Sequence, residues 1–201
     1  MIIRRYISSM ALWAIVGGIC YALVRWIQAR RRRCELDFPK ECKRTAFAAY
    51  IVGIASRSLA PEAVLWTESR DGYRYINIRM ILREGRYNLI PFRTLWAQLT
   101  GDLPLGADAA FVGRVNLLFN LLVFVPLGIF LPMLFRKGQK WYSVLCIAAV
   151  TSVSVEVIQY LIGRTCDIDD VLLNVAGCMI GYAAYRIARY VLKARDSLEM
   201  I

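Results

Sequence analysis

The sequence predicts an all-α fold: a polytopic transmembrane helix bundle of about five spans, with a long extracytoplasmic segment between spans two and three. Three observations carry this reading. The chain is 58% hydrophobic over 201 residues. Its apolar residues gather into runs long enough to cross a hydrocarbon core of about 30 Å. Its formal charge of +11 is concentrated in the stretches between those runs. Such clustering follows the positive-inside bias, so topology accounts for the basic balance and nucleic-acid binding is not expected. The chain has no histidine, which excludes histidine-based triads, imidazole metal ligands and a histidine general base. Its six cysteines show no CxxC spacing, and Cys20, Cys146 and Cys178 fall inside apolar runs, where cysteine acts as a small hydrophobe.

The first span is read at residues 6–27, flanked by Tyr6 and Trp26. Arg4 and Arg5 ahead of it look like the start of a signal peptide. The run is long for that role, lacks a small-x-small cleavage site and enters four arginines at 30–33, so it is read as an anchor. The basic linker RRRRCELDFPKECKR at 30–44 is placed in the cytoplasm. A weaker second span follows at 45–66, interrupted near its far end by Arg57, Pro61 and Glu62.

Residues 67–113 are polar and too long for an ordinary loop, so they should fold against the bundle or carry function. Within them 76–82 reads equally as a short strand or an interfacial helix. The third span is expected at 115–135, then the basic turn RKGQK, the fourth at 141–162 and the fifth at 171–190. The division is therefore 1–66 for two anchoring helices, 67–113 for the extracytoplasmic segment, 114–191 for a three-helix core and 192–201 for a basic tail. Keeping the three basic stretches inside requires an odd number of spans. The N-terminus then lies outside and the C-terminus inside.

The polar residues of the apolar spans form stripes. Ser152, Glu156 and Gln159 share one face of the fourth span, and Asn116 and Asn120 one face of the third. On the fifth, Asp170, Asn174, Gly177 and Gly181 fall in line, the glycines forming a small-xxx-small step that should face the bundle. Arg57 lies at the same level. A charge near the bilayer centre costs roughly 2.5–3.5 kcal/mol on insertion scales, so Glu156 beside Arg164, Asp167, Asp169 and Asp170 demands a reason.

Structural reasons exist for each. Asp169 or Asp170 would cap the fifth helix; Asn116, Asn120 and Asn174 would join helices by hydrogen bonds; Glu156 would pair with Arg57 or Arg164. One cap does not explain three aspartates. Chemically, Asp167, Asp169 and Asp170 offer hard oxygen ligands suited to Mg²⁺ or Ca²⁺. Glu156, with Asp169 and Asp170, is the candidate acid–base set. Arg57 and Arg164 would grip an anion.

NLIPF at 88–92, NLLFNLLVFVPLGIFLPMLF at 116–135, and SVSVEVIQ followed by GR-x-x-DIDD-x-x-x-N-x-x-G at 152–177 resemble the VanZ-like family of bacterial membrane proteins. The resemblance runs from about Tyr87 to Tyr185, with the first two spans outside it or matching loosely. It maps Asn88, Pro91 and Phe92 onto the loop motif, and Asn116, Asn120, Pro126 and Gly128 onto the third-span motif. Glu156, Gln159, Arg164, Asp167, Asp169, Asp170, Asn174 and Gly177 fall on the last.

The family's namesake is associated with low-level resistance to teicoplanin and related lipoglycopeptides, and no established reaction comes with the resemblance. It implies an integral protein of the bacterial cytoplasmic membrane that binds or alters a lipid-linked wall precursor or envelope glycolipid at the outer face. The candidate binding residues are Arg57, Asn88, Phe92, Asn116, Asn120, Gln159, Arg164 and Asn174. The alternatives are a metal-assisted transferase or hydrolase on a polyprenyl-linked substrate, and a non-catalytic membrane scaffold.

Overall fold

The computed structural model describes residues 2–58, 63–70, 73–80, 86–101 and 107–198. The chain is a bundle of helices with two small two-stranded pieces of sheet. Helix α1 (Ile2–Arg32) turns back into α2 (Phe38–Ser58), and strands β1 (Ala63–Arg70) and β2 (Tyr73–Met80) form an antiparallel hairpin. Strand β3 (Arg86–Asn88) leads to the short helix α3 (Arg93–Thr100). Helices α4 (Ala107–Val123) and α5 (Val125–Leu134), a 3-10 turn at Arg136–Gln139, α6 (Trp141–Leu161), strand β4 (Thr165–Asp167) and α7 (Ile168–Leu198) complete it. Among the described residues, four stretches are long and apolar enough to cross a membrane: Met10–Arg32, Ala110–Leu134, Trp141–Leu161 and Ile168–Asp196.

The helix expected at 45–66 is displaced. It begins at Phe38 because Asp37 is an N-cap, its Oδ1 accepting the Lys40 N–H at 3.2 Å, with Pro39 in the first turn where no N–H is needed. The basic linker therefore contracts, and α2 is not among the four apolar stretches. Ala63, Val64, Leu65 and Trp66, expected at the far end of that span, belong to strand β1. Pro61 before them cannot continue a helix. Residues 59–62, which hold Pro61 and Glu62, lie outside the described residues, as do the LPLG loop and the side chain of Arg57. Of the ambiguous 76–82 stretch, residues 76–80 belong to strand β2, and 81–82 lie outside the described residues.

The third span is a broken helix, bent at Phe124 between α4 and α5. Pro126 lacks the N–H that would continue the ladder. At the break the hydroxyl of Tyr50 of α2 donates to the Val123 carbonyl at 2.8 Å. A main-chain group without water must find such a partner inside the protein.

Below the break lies the core, with Leu127 and Leu131 of α5, Val144 and Ala148 of α6, and Cys178 and Tyr182 of α7; Phe47 and Tyr50 of α2 pack on it. The Gly177 and Gly181 step faces the bundle as its spacing requires. A Cβ on Gly177 would collide with the Leu121 carbonyl, one on Gly181 with that of Val125, and one on Gly128 with that of Cys178. Helix α7 is thus in main-chain contact with α4 and α5, which only glycine permits. Helix α1 packs on α2 through Gly17 against Val52 and Gly53 against Ala14. A fork from Arg25 to Glu41, at 2.9 and 2.7 Å, clips their ends together.

Candidate functional site

The polar corner begins where α6 ends. Gly163, at φ 80°, stops the helix, and Arg164 N–H returns to the Gln159 carbonyl at 2.9 Å while Gly163 N–H bonds Tyr160 at 3.0 Å. This left-handed glycine cap is a common helix ending. It turns the chain at once into β4, which pairs in parallel with β3 so that Asn88 lies opposite Asp167. Helix α7 then starts under the same corner.

Asp167, 6% exposed, accepts from three directions. Its Oδ1 takes the Asp169 N–H at 3.0 Å and the Asn88 Nδ2 at 3.2 Å, and its Oδ2 takes the Thr94 hydroxyl. Accepting from the N–H two residues on makes Asp167 the N-cap of α7. The Thr94 Oγ1 in turn accepts from Asn88 Nδ2 at 3.0 Å. Asp169, 1% exposed, reaches across to α3, where its two oxygens accept the N–H groups of Phe92 and Leu95. Phe92 stands at the N-cap position of α3 with φ 63° and supplies no side-chain cap. The carboxylate from another helix satisfies those orphan donors and meets the positive helix end. The expectation that Asp169 or Asp170 caps the fifth helix is therefore corrected: Asp167 caps it, and Asp169 caps α3.

Glu156, 3% exposed on α6, accepts the Asp167 N–H at 3.0 Å through Oε2. Asp170, half-buried, takes part in neither cap; its carboxyl meets the Asn120 side chain of α4 and lies in the field of Arg164. One turn deeper, Asn174 Nδ2 donates to Ser152 Oγ at 2.9 Å, and Asn174 Oδ1 is buried without a hydrogen-bond partner among the described residues. Gln159 Nε2 and Arg164 Nη1 both donate to the Ser58 carbonyl, at 3.1 and 3.2 Å, which fastens the end of α2 to the corner. Cys166, in strand β4, is held above the ordinary thiol range, first by burial and then by the neighbouring carboxyl groups.

The structure thus brings together Asn88, Asn120, Glu156, Gln159, Arg164, Asp167, Asp169, Asp170 and Asn174 around one end of the bundle. Phe92 contributes its main chain, its ring being exposed, and Asn116 is exposed on α4. Thr94 and the Ser58 carbonyl were not foreseen. A threonine two residues past Phe92, inside the first turn of a helix, was the available signal for the former; nothing in the sequence marks a carbonyl.

The arrangement does not suit the expected Mg²⁺ or Ca²⁺. Among the described residues no three of histidine, cysteine, aspartate and glutamate converge on a point, and the oxygens of Asp167 and Asp169 already accept hydrogen bonds from the protein.

Comparison with protein-family models matches residues 47–189 to VanZ/LLP1. No curated protein and no solved structure shows a significant match. The matched region covers all of the polar corner and reaches back beyond Tyr87 into α2, whose Phe47 and Tyr50 touch the core. On that match, the chain belongs to the VanZ/LLP1 family.

Proposed function

We propose that this VanZ-family membrane protein works at the outer face of the bacterial cytoplasmic membrane, where its polar corner binds the headgroup of a lipid-linked wall precursor or envelope glycolipid. Altered access of teicoplanin-type drugs to their membrane-proximal target is the consequence. One observation carries the reading: Asp167 and Asp169 are engaged in helix caps, but Asp170 is not, and it stands with buried Glu156 and half-buried Asn120 and Arg164 in a group of mixed charge. Such a group suits polar ligand atoms of both kinds, donors and acceptors. The corner is assigned to the outside because the basic linker, the RKGQK turn and the basic end of α7 gather at the opposite helix ends. In this topology α2 crosses as a fifth, less apolar span.

The scaffold reading is supported by a separate observation, the use of Asp167 and Asp169 oxygens to lock α3 and α7. The two readings part on Asp170. In a teicoplanin-sensitive Gram-positive host, wild type is expected to raise the inhibitory drug concentration. Asp170→Asn and Glu156→Gln, at membrane levels matched by immunoblot, are expected to lose that protection. Equal protection by an equally abundant Asp170→Asn protein defeats the binding reading. Loss of protection only where protein is lost favours the scaffold.

A further inference from the structure

Helix α3 is built inside out for a helix in water. Its apolar stripe, Phe92, Trp96 and Leu99, lies at i, i+4 and i+7, with exposures of 61%, 66% and 64%. Its polar groups turn inward instead. Thr94 bonds Asp167, the N–H groups of Phe92 and Leu95 bond Asp169, and the Gln98 carbonyl takes Arg114 Nε at 3.0 Å. Gln98 also packs closely enough on α4 that a Cβ at Gly113 would strike it. The loop before the helix repeats the pattern, with Leu89 65% and Ile90 57% exposed.

The loop before the stripe touches the end of a helix long and apolar enough to cross a membrane. The Tyr87 ring meets Tyr160 at 6.4 Å, close to exposed Leu161 where the α6 crossing stops. A helix of eight residues is about 12 Å long, too short to cross a core of about 30 Å. It fits in the plane of the interface, where tryptophan and tyrosine rings partition and basic side chains such as exposed Arg93 reach the headgroups.

We propose that α3 and the loop before it form an interfacial membrane anchor. Phe92, Trp96 and Leu99 insert into the lipid at the end of the bundle that carries the polar corner, and the Asp169 carboxylate bolts the helix to the crossing helices. The corner therefore lies level with the lipid headgroups, and its bound molecules approach sideways through the membrane.

The test uses the full chain in phosphatidylcholine vesicles whose acyl chains carry bromine at graded depths. The tryptophan fluorescence lost on Trp96→Phe is taken as the Trp96 signal. It is expected to be quenched most by bromine placed nearest the headgroups and to resist aqueous iodide. A tryptophan introduced by Leu99→Trp in the Trp96→Phe protein is expected to report the same depth. Quenching by iodide without bromine, quenching by neither, or quenching greatest at the deepest bromine each overturns the proposal: they mean exposure to water, cover by protein, and full insertion respectively.

Discussion

Asp169 and Asp170 are neighbours of one chemical type with opposite duties. Asp169 bridges two helices through main-chain donors, so its loss leaves two N–H groups of α3 unpaired. Hydrogen bonds to a charged group are worth about 1.5–3 kcal/mol. Asp169→Ala is therefore expected to lower the thermal midpoint of the detergent-solubilised protein by an amount equivalent to about that free energy, and Asp170→Ala by much less. Equal midpoints would mean the cap is immaterial. Of this detail the sequence showed the burial, since Ser152, Glu156 and Gln159 share a helical face and all three are buried. It did not show the partners. Asp169 and Phe92 are separated by 77 positions, and helical periodicity describes a face without saying what lies against it.

Among the elements, the broken third span and its tyrosine are the most sensitive joint. Tyr50→Phe removes the hydroxyl that satisfies the Val123 carbonyl at the bend. Leaving such a group unpaired costs about 1–3 kcal/mol. The variant is expected to unfold earlier and to exchange amide hydrogens around the α4–α5 break faster, while amides in α6 are unchanged. Gly177→Ala drives a methyl group into the Leu121 carbonyl. Overpacking of this kind costs about 1–3 kcal/mol, so a lower melting temperature is expected, against none for Ala176→Ser on the exposed side. The glycine contact was legible because small residues at a spacing of four have one main use in membrane helices. The hairpin was missed even though the sequence Asp-Gly between its strands is a favoured signal for a two-residue turn. The apolar residues 63–66 just after Pro61 extend the apparent second span into what is the first strand.

At the scale of the whole molecule, α1 is held to α2 by glycine contacts and by the Arg25–Glu41 clip. The Arg25 guanidinium beside Glu41 keeps that carboxyl below the ordinary glutamate range. A lowered folded value means that the clip contributes above the ordinary value, about 4.3, and that its contribution is lost as pH falls through the lower folded value. Fluorophores at Ala29 and Lys43 are expected to separate on acidification below about pH 4, and in Arg25→Ala protein to be already separated at neutral pH. No change in either case would mean that the glycine contacts suffice.

The bridge made by Tyr50 also says which parts of the chain can drift apart in evolution. The family match begins at residue 47, where α2 first touches the core, and from there the end of α2, helices α3 to α7 and strands β3 and β4 are tied through the bend, the glycine contacts and the corner. Helix α1 touches the rest chiefly through α2. Its outer surface can therefore be rewritten, or the helix exchanged for another, without retuning the corner. An insertion or deletion of one residue between Phe47 and Ser58 has no such freedom. It rotates Tyr50 away from the bend or pulls the Ser58 carbonyl away from Arg164, so the length of that short stretch is under tighter constraint than its composition.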